Sequence, residues 1–305
     1  MVLKFLACLL VLLSLAPGCT PSQGKGVIAP AGPTGSDLAS LSDEFDSDAT
    51  LREWQRVHRT EGGNADQLER FDIGGTQAGW MTMMPYTSTW YRDYRGVLAY
   101  KPVDGDFVMT TRLRVDRRGG EGPPRAQFSL AGIMIRAPRN VTPRSWQPGG
   151  ENYVFLSLGA ADHAGQYQFE VKTTTNSDSQ LRTSPAASGE ATIQVARIGQ
   201  TLILLKKVGG AWTVHQRYHR PDFPRTVQAG LTVYTDWQNA SRVSAPEHNN
   251  TVLRSGSPDL VARFDYVRYR RPLVPAGLVG KRLDDPGVVS DAQLLQFLGE
   301  AAAAK

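Results

Sequence analysis

The amino-acid sequence predicts an all-β protein: a two-sheet antiparallel β-sandwich of the jelly-roll type, with a short C-terminal helix. Three observations predict it. From about Leu41 to Pro272 the chain is a succession of short alternating runs broken by Gly, Pro, Asn and Asp, without a sustained helical period. In LILLKKVGGAWTVH, Gly209 and Gly210 separate two such runs, a hairpin signal in which glycine supplies positive φ. FSLAGIMIRAP and ENYVFLSLG are apolar on both faces, as central strands must be when they are covered on both sides or line a concave surface. About a dozen strands over about 230 residues fit one domain, and no repeat with a period of about 20–50 residues divides it.

The elements follow in chain order. MVLKFLACLLVLLSLAPGC has one early cation, Lys4, an apolar run from Leu6 to Leu15, and small residues ending at Cys19. This is a secretory signal over residues 1–18, too short and too abruptly ended for a spanning helix. Leu15-Ala16-Pro17-Gly18-Cys19 resembles the bacterial lipoprotein box, with Ala16 where that box usually carries Leu. The resemblance implies cleavage before Cys19 and lipidation of its thiol. Cys8 leaves with the signal, so the exported protein has no internal disulfide, and lipid explains the lone thiol. Each buried acyl CH₂ contributes about 0.8 kcal/mol, so two or three chains hold a protein firmly on a bilayer. Residues 19–40, rich in Pro, Gly and Ser, read as a flexible tether. The expected location is the cell envelope, lipid-anchored, on the periplasmic side or the outer-membrane surface.

The sandwich is expected over residues 41–272. In DFVMTTRLRV, Phe107, Met109, Thr111, Leu113 and Val115 share one face and Arg112 and Arg114 the other, a half-buried strand. VQAGLTVYTD repeats the pattern, with Val227, Ala229, Leu231 and Val233 inward and Gln228, Thr232, Tyr234 and Asp236 opposite. Residues 273–305 change character. Ser290-Asp291-Ala292-Gln293 has capping-box form, and Leu294, Leu295, Phe297 and Leu298 follow, so a helix is expected from about Asp291 to Ala303. It either packs on the sandwich or docks a protein partner.

The order GDFVMTTRLRV, AGIMIRAP, ENYVFLSLG, YQFEVKTTT, VARIGQTLILLKKVGGAW, VQAGLTVYT, ARFDYVRYR resembles the concanavalin A-like lectin/glucanase superfamily. Its nearest likeness is a bacterial lipoprotein branch with a laminin-G-like jelly roll, sharing GDF, an AGIMIR-type run, a Trp-bearing hairpin and a closing FDYVR. The resemblance implies the fold over residues 41–272 and leaves function open among lectins, hydrolases, lyases and non-catalytic modules. It also implies two chemistries to weigh. Glucanases of the superfamily carry alternating carboxylates on one strand, which Glu44, Asp46 and Asp48 in LSDEFDSD imitate. On a regular strand, however, the ends of that set lie about 13 Å apart, whereas retaining glycosidases hold their carboxyls about 5–5.5 Å apart. LSDEFDSD therefore reads as an opening strand with Phe45 in the core and its acids in water. The superfamily also often holds a structural calcium ion, for which Asp43, Asp46 and Asp265 are the candidates; no other cofactor is expected.

Other chemistries lack their motifs. The chain has no GxSxG, GxGxxG or GxxxxGK[ST] segment, and its five histidines have no HExxH spacing. Its net charge of +5 comes from Lys and Arg spread along the chain, which reads as a solvated surface and not as a nucleic-acid interface. Aromatic residues are the strongest functional signal. WMTMMPYTSTWYRDYRG gathers Trp80, Tyr86, Trp90, Tyr91 and Tyr94 in a polar stretch, and Trp146 and Trp237 stand in other loops. Flat rings stack on sugar C–H faces while neighbouring polar groups satisfy hydroxyls. Trp90, Tyr91, Arg136, Trp146, Asn152, Glu170, Lys172, Asp236 and Trp237 are accordingly the expected ligand-binding residues on one concave face, with no catalytic residue assigned. The reading is a cell-envelope lipoprotein whose jelly roll binds a saccharide or surface glycan. The alternatives are a glycoside hydrolase or polysaccharide lyase using carboxylates such as Glu151 and Glu170, and an envelope assembly protein.

Overall fold

Two seven-stranded antiparallel sheets face each other across one apolar layer. The computed structural model describes residues 37–142 and 144–299; the signal segment, Cys19, most of the tether and the last residues of the expected helix lie outside them. The strands are β1 (Gln55–Arg56), β2 (Leu68–Ile73), β3 (Met81–Pro85), β4 (Val97–Asp104), β5 (Phe107–Asp116), β6 (Ser129–Arg136), β7 (Tyr153–Ala160), β8 (Gln168–Thr175), β9 (Asp178–Pro185), β10 (Glu190–Ile198), β11 (Thr201–Val208), β12 (Ala211–His219), β13 (Thr226–Tyr234) and β14 (Val261–Arg270). The first sheet runs β1-β4-β13-β6-β7-β8-β9 and the second β12-β11-β10-β5-β14-β3-β2. Short helices α1 (Val57–Thr60), α2 (Trp237–Ala240), α3 (Ala245–Asn250) and α4 (Asp291–Leu295) occupy connections and the C-terminal extension.

The inter-sheet layer follows from strand alternation. Phe107, Met109, Leu113 and Val115 of β5 lie across from β6 and β7, which contribute Ile133, Ile135, Val154, Leu156 and Leu158, and Val227, Ala229, Leu231 and Val233 of β13 complete the same layer. Full burial of such a side chain contributes about 1.5–3 kcal/mol, so this layer dominates the stability of the fold. Gly209 and Gly210 both take positive φ in the β11–β12 hairpin, as the sequence requires.

Both outer faces are covered as well, which alternation alone does not reveal. On the second sheet, Val108, Ala196, Ile203 and Leu205 pack under Leu278, Leu283, Val289, Leu294 and Leu298 of the C-terminal extension. The half-buried strand expected at 107–115 is therefore buried on both sides at its start. Ser290 and Gln293 form the capping box of α4, which is shorter than the expected helix, ending at Leu295 before a turn. Leu294 within it and Leu298 just beyond it pack on the sandwich, the first of the two arrangements expected for this helix.

The segment LSDEFDSD is not a regular strand. Asp43 makes a single antiparallel bridge to Val267, Phe45 turns into the core with φ of 58°, and Ser47 caps a 3₁₀ turn over Asp48–Glu53. Glu44 accepts from Nε and Nη2 of Arg268, at 2.7 and 2.8 Å. Leu38 also reaches the core, so the last residues of the expected tether belong to the folded domain.

Candidate functional site

The outer face of the first sheet holds the chemistry. Pairing Arg136 with Tyr153 and Gln228, Lys172 with Phe155, and Glu170 with Ser157 puts all these side chains on one face, opposite the inter-sheet core. Connections at 57–67, 86–96 and 236–258 close over that face. They are fastened to one another by Gln67 Nε2 donating to the His248 carbonyl at 2.9 Å and the Thr89 N–H donating to His248 Nε2 at 3.1 Å. Beneath them Val57 and Trp90 pack with Tyr100, Met134, Tyr153, Phe155 and Tyr234. The concave face is thus filled and not open.

A charge network sits in this filling. Glu61, carried in from the segment after α1, accepts from both terminal nitrogens of Arg136 at 2.8 and 2.9 Å, from Gln228 Nε2 at 2.9 Å, and from Arg95. Glu151 accepts from Arg136 Nε at 2.9 Å and Arg139 Nη1 at 2.8 Å, and lies 3.3 Å from Arg95 Nε. Burial would push the Glu151 carboxyl up, but the guanidiniums of Arg136 and Arg95 overcome it and hold the group down at about 2. Glu61 is lowered against its own burial by Arg136 and Arg95 in the same way. Burial and repulsion from Arg136 lower Arg95 to about 10, whereas the two carboxylates raise Arg136 despite its complete burial. Both carboxylates are fixed anions, so neither has a proton to give at neutral pH.

Next to this network, Lys172 projects from β8 into a ring of aromatics. Its ammonium stands 5.6, 5.0 and 5.7 Å from the ring centres of Tyr91, Phe155 and Tyr234. It donates to the Trp90 carbonyl at 2.8 Å and lies 3.0 Å from Glu170 Oε1. The other Glu170 oxygen accepts from Tyr234 Oη at 3.2 Å, and that hydroxyl is 2.8 Å from Ser157 Oγ.

Above Lys172 a cavity of about 210 Å³ remains, lined by Thr89, Tyr91, Phe128, Lys172, Leu181 and Trp237. Trp237, the first residue of α2, meets Tyr91 edge-on at 5.3 Å and Phe128 at 6.4 Å. Leu181 lies directly across from Lys172 on the edge strand β9 and is exposed. The result is a half-buried apolar pocket with a single charge at its floor.

Of the residues expected to bind, the structure brings Tyr91, Lys172 and Trp237 to this cavity. Trp90, Arg136 and Glu170 face the same side but are enclosed, because the covering loops lie between them and solvent. Trp90 Nε1 donates to the Val97 carbonyl at 3.0 Å, a loop-to-sheet clamp. Asp236 takes φ of 64° and accepts from Thr87, Asn239 and the Ser257 N–H, so it ties a loop together. Asn152 ends in a turn, where its Oδ1 accepts from the Asn176 N–H at 2.8 Å, and Trp146 covers Gly63. Phe128, with φ of 52°, and Leu181 escape sequence reading: the first is turned by an unforeseeable backbone, and only its isolation in the polar run DSQLRTSP marks the second.

Asp43, Asp46 and Asp265 are not drawn together. No group of three metal-ligating side chains occurs among the described residues. Asp43 instead accepts from the Phe45 N–H at 2.9 Å and from Trp54 Nε1 at 3.0 Å, and Asp265 faces Arg112 at 3.4 Å.

No protein-family profile matches the chain, and no curated protein sequence is significantly similar to it. Solved structures share its architecture. It is similar to the xylan beta-1,4-xylosidase of Bacillus halodurans C-125, at 15% identity and a TM-score of 0.50 over 80% of this chain and 41% of that one. It is also similar to a functionally unknown protein of Saccharomyces cerevisiae (14% identity, TM-score 0.49, 73% and 98% of the two chains). A third is the legume lectin-like domain of Entamoeba histolytica (9%, 0.42, 73% and 92%). The chain spans about two fifths of the length of the glycoside hydrolases it matches, 39% of one and 41% of another. At these identities the likeness is one of fold alone, a two-sheet β-sandwich.

Proposed function

We propose that this protein is a lipid-anchored cell-envelope module that binds a saccharide, without cleaving it, in the cavity between Tyr91, Trp237 and Phe128. One observation carries the reading: rings from separate loops converge on a cavity of about 210 Å³ whose sole charged lining is Lys172. That mixture of flat apolar walls and one directional group suits a sugar ring. Binding is favoured over hydrolysis because Glu151 and Glu170 are enclosed, and a glycosidase needs carboxyls on both sides of an accessible bond. The xylosidase with the same sandwich makes xylan oligosaccharides the first ligands to try. Affinity electrophoresis and calorimetry with the full chain test the proposal. Retention on a polysaccharide, lost in Trp237→Ala, supports it; no retention on neutral or acidic polysaccharides refutes it. The anchor rests on Cys19, and incorporation of labelled palmitate abolished by Cys19→Ser is the expected result.

A further inference from the structure

The two sheets leave an open seam where β1, the edge of the first, comes near β2, the edge of the second. A cavity of about 380 Å³ opens there, lined by Arg52, Arg56, Arg59, Asp48, Phe71 and Trp54 among others. Three guanidiniums stand against Asp48 in the lining and Asp66 on Arg56, so the concavity is net positive.

Arg56 is the central group. Its side chain is only 7% exposed, its guanidinium lies 4.9 Å over the Phe71 ring, and one terminal nitrogen is paired with Asp66. Its Nε–H is buried and has no acceptor. A buried donor left unsatisfied is unfavourable. Burial lowers the basicity of Arg56, and Arg59 adds repulsion that Asp66 opposes. Arg52 and Arg59 are exposed, and among the described residues neither has a carboxylate at ion-pair distance. These guanidiniums stand on consecutive elements, the 3₁₀ turn, β1 and α1, with fewer carboxylates than cations around them.

We propose that this seam is a second ligand site, taking an organic oxyanion whose carboxylate, sulfate or phosphate group lies on Arg52, Arg56 and Arg59. The planar guanidinium fork matches such groups in pairs of hydrogen bonds. Phe71 and Leu51 line the same cavity and supply an apolar wall for the ligand's carbon skeleton. The site is separate from the aromatic cavity and does not rest on its ligand.

Calorimetry on the full chain tests this with glucuronate, glucose 6-sulfate and glucose 6-phosphate, with glucose and inorganic sulfate as controls. The expected result is saturable binding of at least one organic anion, no binding of glucose, and weaker binding of inorganic sulfate. Arg52→Ala/Arg59→Ala, both surface changes, should weaken the anion at least about tenfold, as should Arg56→Lys, while Trp237→Ala leaves it unchanged. Absence of saturable binding for all three organic anions, or affinity unmoved by the double substitution in a normally melting protein, overturns the site. Equal affinity for inorganic sulfate overturns the organic part of the assignment.

Discussion

Arg136 and Glu151 meet in the interior with neither side chain exposed, the guanidinium Nε 2.9 Å from the carboxylate. Separating such a pair leaves an uncompensated buried charge, which costs about 3–5 kcal/mol. Arg136→Met takes from Glu61 and Glu151 the guanidinium they share, leaving them only Arg95 and Arg139, and is expected to lose up to that much in urea unfolding. A loss below about 1 kcal/mol would mean that water reaches the network.

Acid should lower the stability of the protein in two steps. His248 is buried and accepts the Thr89 N–H on Nε2, and its Nδ1 lies 3.0 Å from Asn249 Oδ1, so the neutral ring is the one that fits. Burial lowers it from 6.5 to about 4, against the Asn249 hydrogen bond. Between those values the unfolded chain binds the proton that the native one refuses. Stability is therefore complete above pH 6.5 and falls as pH drops towards 4, by on the order of 3 kcal/mol. His248→Gln should flatten the slope of ΔG against pH in this window. Below pH 4.5, Glu151 loses its ion-pair contribution as pH falls towards 2, and that second slope should survive in the histidine variant.

Tyr91→Ala and Trp237→Ala each remove a ring from the aromatic cavity. A weakening of saccharide affinity by about 0.5–1.5 kcal/mol per ring is expected by calorimetry. Asn152→Ala, at the far turn, should bind as the parent does.

Gly230→Ala tests how closely the first sheet is built. A Cβ there would stand 2.1 Å from the Ala99 carbonyl oxygen, and one at Gly132 would stand 2.0 Å from that of Leu156. Backbone cannot yield that far, so either substitution should cost more than about 3 kcal/mol and lower the melting temperature sharply. A normal melting curve would show that the sheet spreads.

Leu294→Ala probes the C-terminal cover. Leu294 packs with Val108, Ile203 and Leu205, and its truncation should cost about 2–4 kcal/mol. A neutral outcome in thermal melts would mean that α4 is only laid on the sheet.

The inward pattern of the sandwich was legible because each strand repeats it locally: Phe107 to Val115 and Val227 to Val233 need no distant information. The doubly apolar runs at 129–136 and 153–160 marked central strands, and of the two surroundings open to them the covered one is found. What covers them was hidden. Arg95 and Glu61 look like ordinary loop residues, and only tertiary closure brings them onto Arg136 and Glu151. The same closure converted an expected open face into a filled one, leaving Tyr91, Lys172 and Trp237 at its margin. Phe45 reaches the core as expected, but from a turn and not from a strand: it and Phe128 both take positive φ, which no local rule assigns to phenylalanine.

The described domain begins where its closing strand ends. Asp37 is paired with Arg271 and Glu44 with Arg268, and Asp43 bridges Val267. Strand β14 is flanked by β5 and β3, so a pull arriving through residue 37 is delivered to the middle of a sheet and not to a strand that can be peeled. Stretching from that end should require a higher rupture force than stretching through β9, and a protein tugged on a leash would keep its shape.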